Sequence, residues 1–519
     1  MTNFQKPQPE TPDVAQVETI QNDSKISSTA EYHPDELVKS KFDRLSIPRT
    51  VWVFRRVALV ALAVYTGYVC EGFELKIGNN IIANAGFIKQ FGRKGGSGVQ
   101  ALNPTWEQNV GQIVTFLYIH WFSDRFGRKA CLYLAWLWLA VGCTVLNVAK
   151  TPSVWAIGKL CNGAGVGILQ VTCQVYVMEI CPNNIRGGML TFQAVWSNIG
   201  NIACNVMMQR LNKNHPDDYT LPLRILIAPV VMMLLFWAFV PESPWYYARH
   251  GQKDKAMKSL KLLYGNVEGY DFEQEYSIIE KTIAHERELL DEAPKLTHVF
   301  KGLNLLLDLQ VRCHLHTKHH ANRADFFAIA GLSDPFLATL ILSCCNLLAV
   351  SLWTVTTDKF GRRTFITISQ TSICAFLFIA GSLWWAGATT GNVATGTALI
   401  VNLSYFVMSA EIPSALLRAK TAPVTFFAQS ILGIAFSYAV PRLLLKLNIK
   451  ACFVFGAFSV PVCILLWLYV PETKGRSAAE IDELYESKVP AWRWSKTITS
   501  AEMQMHTVLL TKNNVKEEM

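Results

Sequence analysis

The chain has 519 residues and a formal net charge of +9, yet only 17% of it is charged while 51% is hydrophobic. A soluble chain of this size carries about a quarter charged residues; the mean hydropathy here is +0.22, and it is the membrane spans set out below that exclude a soluble enzyme. Its apolar residues come in blocks of roughly twenty divided by short polar turns, and backbone in lipid must satisfy its own hydrogen bonds as helix. The predicted fold class is therefore an all-α polytopic membrane protein.

Residues 1–48 are polar, rich in Thr, Gln, Ser, Asp and Glu, and read as a disordered tail with no cleavable signal peptide. Spans are predicted near Val57–Ile77, Ala130–Val148, Val154–Tyr176, Met189–Met208 and Leu221–Val240 in the first half. The second half has them near Phe336–Thr356, Phe365–Trp385, Thr421–Leu444 and Ala451–Val470. Three windows are weaker. Asn109–Phe122 would make a helix of only about 21 Å against a core of about 30 Å. Ala398–Met408 is about as short. The stretch 304–327, NLLLDLQVRCHLHTKHHANRADFF, contains Asp308, Arg312, Lys318 and Arg323, each of which opposes insertion. Between the halves, residues 246–300 are charged with a helical period and suit amphipathic helices at a membrane face.

Loop basic residues, among them Arg125, Arg128, Lys129, Arg186, Arg249, Arg362, Arg418 and Lys474, fall on one side under consistent alternation, which makes that side cytoplasmic. Both termini then lie in the cytosol, provided that all three weak windows cross. The thirteen cysteines, such as Cys143, Cys173, Cys204 and Cys374, sit mostly in apolar blocks as small hydrophobes. No CxxC pair indicates zinc or redox chemistry, and the histidine run CHLHTKHH (313–320) fits no standard metal spacing.

The chain repeats itself. SDRFGRK (123–129) returns as TDKFGRR (357–363), EICPNNIR (179–186) as EIPSALLR (411–418), and PESPW (241–245) as PETKGR (471–476). Three ordered pairs mark two homologous halves, the layout of transporters that rock about a midplane site. Gly127 permits a tight turn between spans, with Asp124 and Arg128 as opposite charges at the interface. Glu179 with Arg186, and Glu411 with Arg418, fall at neighbouring cytoplasmic span ends. Ion pairs between the bundles there can hold one face closed and break when it opens, whereas solvated loop charges would contribute little.

These motifs resemble the major facilitator superfamily and, within it, the sugar porter family, over about residues 50–487. The ending PETKGRSAAEIDELYESKVPAWRW further resembles the fungal branch of maltose and other α-glucoside permeases. The resemblance implies two six-helix bundles, twelve spans by ancestry, with spans two, seven and ten truncated or disrupted in this chain. The expected organisation is a cytosolic tail (1–48), an N-terminal bundle (49–245), a cytoplasmic helical linker (246–300), a C-terminal bundle with a degenerate span seven (301–487) and a second cytosolic tail (488–519). It implies a monomer in the lipid of the plasma membrane, moving a hexose or an α-glucoside such as maltose together with a proton. No catalytic residue, cofactor, metal or nucleic-acid partner is implied.

Ionisable groups at membrane depth are costly and point to function. The resemblance makes Glu74 the proton acceptor and Lys159, where the family usually has Arg, its counter-charge; Glu71 and Glu74 could instead lie in water at the outer rim. Sugar contacts are expected from Gln193, Trp196, Asn198, Gln174 and Gln429, with Asn201, Gln170 and Asn402 as further amides, although helix packing would use the same side chains. Gln193 falls one residue before the family's usual glutamine position, where this chain has Ala194. The cytoplasmic gate is expected from Asp124, Arg125, Gly127, Arg128, Glu179, Arg186, Glu242, Asp358, Gly361, Arg362, Glu411, Arg418 and Glu472. GAGVG (163–167) lies inside an apolar helix with no preceding strand, so it reads as close helix packing and not as a dinucleotide site.

Between FKGLN (300–304) and FFAIAGLSDPF (326–336) the amide-bearing seventh span is absent, replaced by text that looks read in a wrong frame or across an intron. Three readings stay open: a damaged or erroneous sequence, a divergent transporter, and a sugar-sensing protein that does not transport. The short C-terminal tail favours transport over sensing.

Overall fold

The computed structural model describes residues 47–81, 84–91, 106–267 and 269–292, then 340–341, 343–348, 350–351, 362–382 and 451–470, with twelve scattered positions between 427 and 497. The described residues are helical apart from their turns. A short α1 (Ile47–Val53) leads into α2 (Arg55–Ile81), followed by α3 (Ala85–Phe91), α4 (Trp106–Phe126), α5 (Arg128–Val148), α6 (Pro152–Ile180) and α7 (Asn183–Asn214). The chain continues through α8 (Thr220–Ile225), α9 (Ile227–Trp237), α10 (Pro244–Arg249), α11 (Lys253–Tyr264) and α12 (Phe272–Glu292) to α13 (Arg362–Ser382) and α14 (Ala451–Tyr469).

Among the described residues, four stretches are long and apolar enough to cross a membrane: Arg55–Gly78, Arg128–Val148, Pro152–Ile180 and Thr220–Trp237. They match the spans predicted near Val57, Ala130, Val154 and Leu221. Pro152 and Pro244 each sit in the first turn of their helix, where a missing N–H costs nothing.

The second span corrects the sequence reading. α4 has 21 residues, about 31 Å of helix, which matches the hydrocarbon core. The expected window, Asn109–Phe122, left out Glu107 and Gln108 at one end and Ser123–Phe126 at the other, and was weakened by Asn109 and Gln112 within it. Glu107, Gln108, Asn109 and Gln112 are all buried against neighbouring helices. A helix whose polar residues face protein need not be apolar all round. Spans seven and ten lie outside the described residues.

Small residues set how closely the helices approach. A Cβ on Gly163 would stand 2.0 Å from the Gln108 carbonyl oxygen of α4, and one on Gly165 would stand 2.6 Å from Leu139 of α5. GAGVG is therefore a packing strip between α6 and its two neighbours. On the other side of α2, Gly72 and Gly200 let α2 and α7 touch at the carbonyls of Ser197 and Val69.

Within the stretch expected to form the linker, residues 246–292 contribute the end of α10 with α11 and α12. Ala256, Leu260, Leu263 and Tyr264 repeat at helical spacing and are buried, as are Tyr276, Ile279 and Ile283 of α12. The linker is fastened to the span ends by hydrogen bonds from Tyr264 Oη to the Ile180 carbonyl, from Ser259 Oγ to the Glu242 carbonyl, and from Asn266 Nδ2 to the Val53 carbonyl.

Candidate functional site

Inside the bundle, α2 and α6 bring Glu74 and Lys159 together. Nζ lies 2.6 Å from Glu74 Oε1, with the two side chains 0% and 1% exposed. Asn162, one turn along α6 from Lys159, donates Nδ2 to the same carboxylate oxygen at 2.8 Å. Gly78 keeps this place open, since a Cβ there would stand 3.1 Å from the ammonium. One turn before Glu74, Glu71 accepts a hydrogen bond from Gln170 Nε2 at 2.7 Å and is 6% exposed. The alternative of two acids in water at the outer rim is thus overturned. Burying both charges is costly, and the pairing, the amide and the carboxylate geometry offset that cost only together. The sequence reading missed Asn162. Its signal was the three-residue spacing from Lys159, which places both side chains on one helical face.

The other expected contacts are neutral. Gln193 is buried, and its Oε1 has no hydrogen-bond partner among the described residues; the same holds for Trp196 Nε1. Asn198 donates to the Ala194 carbonyl at 2.8 Å and accepts from Asn346 in the second half. Asn205, two turns further along α7, accepts from Asn80 at 2.7 Å and donates to Ser343 at 2.8 Å. Ser430 donates to Gln112 Oε1 at 3.1 Å, a third link between the halves. Gln174 is half-buried on α6. Gln429 and Asn402 lie outside the described residues. Amides that both donate and accept suit the hydroxyls of a polyol.

At the opposite span ends the charges form one network. Gly127 turns the chain at φ +94°, a conformation that favours glycine, and its missing Cβ leaves room for the Glu242 carboxylate. That carboxylate accepts N–H bonds from Arg128 at 2.9 Å, Lys129 at 3.0 Å and Ser243 at 2.9 Å, and so caps the start of α5. Burial pushes the Glu242 carboxyl above the usual carboxylate range, and these N–H donors and the Arg128 guanidinium pull it back. Arg128 reaches Glu179 at 2.9 Å and Asp124 at 3.5 Å, and Arg249 joins Glu179 at 3.8 Å. Arg125 is exposed, and its carbonyl accepts from Tyr246 Oη.

Glu179 pairs with Arg128 and Arg249 within the first half. Glu179 ends α6 while Arg186 begins α7 beyond Pro182, so the seven-residue spacing crosses a helix break. Arg186 donates to the Cys181 carbonyl at 3.4 Å. In the second half, Glu472 Oε2 accepts from Arg363 N at 3.3 Å, as Glu242 Oε2 does from Lys129 N. Arg362 opens α13 as Arg128 opens α5. Asp358, Gly361, Glu411 and Arg418 lie outside the described residues.

The sequence pattern of the family described as "Sugar (and other) transporter" matches residues 59–485. The chain belongs to the sugar transporter family. The transporter is 24% identical to the general alpha-glucoside permease of Saccharomyces cerevisiae over 493 residues, covering 88% of this chain and 79% of that protein. It is 27% identical to the MFS glucose transporter mfs1 of Aspergillus flavus over 470 residues, with 81% and 88% covered. Its fold is similar to that of the MFS proton:xylose symporter XylE bound to 6-bromo-6-deoxy-D-glucose, with a TM-score of 0.71 at 19% identity, covering 83% of this chain and 99% of that one. A partially occluded inward-open form of XylE from E. coli gives 0.66 at 18% identity, with 82% and 100% covered. The transporter therefore has the major facilitator fold, whose sugar-porter branch crosses the membrane twelve times, and its relatives are permeases and not enzymes.

Proposed function

We propose that this transporter is a proton-coupled permease for a hexose or an α-glucoside such as maltose, working by alternating access between two six-helix bundles joined by the cytoplasmic linker. The observation that carries the reading is the Glu74–Lys159 pair, closed to solvent at 2.6 Å. A carboxylate that balances a buried ammonium can take a proton only if that balance changes, which links protonation to conformation. Glu74 takes the proton and Lys159 is its counter-charge. Gln193, Trp196, Asn198, Gln174 and Gln429 are the proposed sugar contacts. Relatives named as an alpha-glucoside permease and a glucose transporter support the substrate class, and a fold neighbour named as a proton symporter supports the coupling.

Asp124, Arg128, Glu179 and Glu242 with their second-half counterparts Asp358, Arg362, Glu411 and Glu472 form the proposed cytoplasmic gate, supported by the capping carboxylates at both repeats. We place the protein as a monomer in the plasma membrane with both termini cytosolic. The test is uptake of labelled glucose and maltose into proteoliposomes under an inward proton gradient. Accumulation above equilibrium, abolished by a protonophore, is expected. Equilibration that ignores the gradient would replace coupling by facilitated diffusion.

A further inference from the structure

α1 and α2 run on as one helix. The Phe54 N–H donates to the Thr50 carbonyl at 2.9 Å and the Ala58 N–H to that of Phe54 at 3.0 Å, so the helical ladder crosses the junction. Helical spacing therefore relates side chains on both sides of it. Thr50, Phe54, Val57, Ala61 and Val64 form one buried face. The opposite face carries Arg49, Trp52, Arg55, Arg56 and Leu59, all exposed, Trp52 at 73% and Leu59 at 63%.

Leu59 lies inside the stretch Arg55–Gly78, which is apolar enough to cross a membrane, so its exposed side chain belongs against acyl chains. One turn earlier, Arg55 and Arg56 fall at headgroup depth. Trp52 lies a further turn out, the order in which anchors are arranged at a membrane interface. The charge here is uncompensated. From Ile47 onward the first acid is Glu71, itself buried, and none of the three arginines has a carboxylate partner among the described residues. The Arg55 guanidinium lies over the Trp52 ring, with Cζ 6.0 Å from its centre, a stack that orients the planar fork without using its N–H donors.

The linker meets the helix at this place. Arg56 Nη1 stands 3.7 Å from the Cβ position of Gly265, just past the end of α11. Asn266 Nδ2 donates to the Val53 carbonyl at 3.2 Å, and Phe54 meets the rings of Tyr264 and Tyr270 edge-on at 5.8 Å and 6.5 Å. The stripe is thus fixed on the linker side of the membrane.

We propose that this stripe binds an acidic phospholipid in the leaflet on the linker side. The Arg55 and Arg56 guanidinium groups hold the phosphate by charge-assisted N–H bonds, and Arg49 adds to the positive field. Trp52 sits among the headgroups and Leu59 lies along an acyl chain. The paired forks suit a phosphate and the apolar flank suits a hydrocarbon tail, so a lipid satisfies both and a free anion only one. Since Arg56 also abuts the end of α11, occupancy fastens the linker to the first span and stabilises the native state. This rests on the chain crossing a membrane and is independent of proton coupling.

Thermal unfolding of the full-length protein in phosphatidylcholine nanodiscs, with and without phosphatidylserine, tests it. Phosphatidylserine is expected to raise the midpoint, and the double variant Arg55→Gln with Arg56→Gln to abolish the rise. Lys255→Gln with Lys258→Gln, on the exposed face of α11, should keep it. No rise in the parent protein would overturn the proposal. An equal loss in the α11 pair would reduce the effect to general surface charge and overturn the site. A rise produced by inorganic phosphate in phosphatidylcholine alone would put a free anion in place of the lipid and overturn it too. Phosphatidylserine with a photoactivatable acyl chain needs no variant, and crosslinks to residues 52–63 of the parent protein are expected. A crosslink map that leaves this stretch out would count equally against the site.

Discussion

The ammonium of Lys159 stands 2.6 Å from Glu74 Oε1, and neither side chain meets solvent. Such a pair holds the fold less by its own net energy than by the cost of breaking it one side at a time. Lys159→Met should therefore destabilise the protein by about 3–5 kcal/mol, because it leaves a buried carboxylate unpaired. The double variant Glu74→Gln with Lys159→Met should recover most of that loss. Thermal unfolding in detergent, read as a double-mutant cycle, checks this; simple additivity would count against it.

Gly127 carries both a positive φ of +94° and the space occupied by Glu242. Alanine there meets two penalties, the left-handed backbone and a carboxylate oxygen 2.4 Å from its Cβ. Gly127→Ala should lower stability by about 1–3 kcal/mol and slow transport. A thermal-shift assay with initial uptake rates reads both.

Removing the cap is a separate prediction. Glu242→Ala frees the backbone N–H groups of Arg128, Lys129 and Ser243 at once. A loss of about 1–2 kcal/mol is expected, in the range of a strong helix cap. Glu472→Ala removes the acceptor of the Arg363 N–H and should lower stability as well. Thermal unfolding of both variants in detergent checks this, and an unchanged midpoint in Glu242→Ala would contradict it.

The halves are joined through neutral amides. Asn205→Leu removes the acceptor of Asn80 and the donor to Ser343. A stability loss of about 1 kcal/mol is expected, as for hydrogen bonds between membrane helices. If the link also restrains rocking, counterflow should be faster in the variant, which stopped-flow efflux would detect.

How far the sequence reached depends on what each residue's signal was. The duplicated DRFGRK and PES motifs located Gly127, Arg128 and Glu242 because a turn glycine and a capping carboxylate are local devices. Glu74 and Lys159 stood out because charge at membrane depth is rare. Span two was misjudged because hydropathy counts a buried Glu107 or Gln108 as though it faced lipid, and only packing reveals that both are buried. Arg128 and Glu179 each stood out by motif, but their contact joins residues 51 apart in sequence, which no linear spacing displays. Gln193, one residue off the family position, is buried and its Oε1 has no partner among the described residues, so its register shift did not turn it outward.

The central claim is that Glu74 couples the proton to the sugar. Its most direct test compares two fluxes through Glu74→Gln in one proteoliposome preparation: proton-driven accumulation of labelled sugar, and counterflow with no gradient. The account predicts that accumulation disappears while counterflow continues. Accumulation that survives the substitution would contradict it.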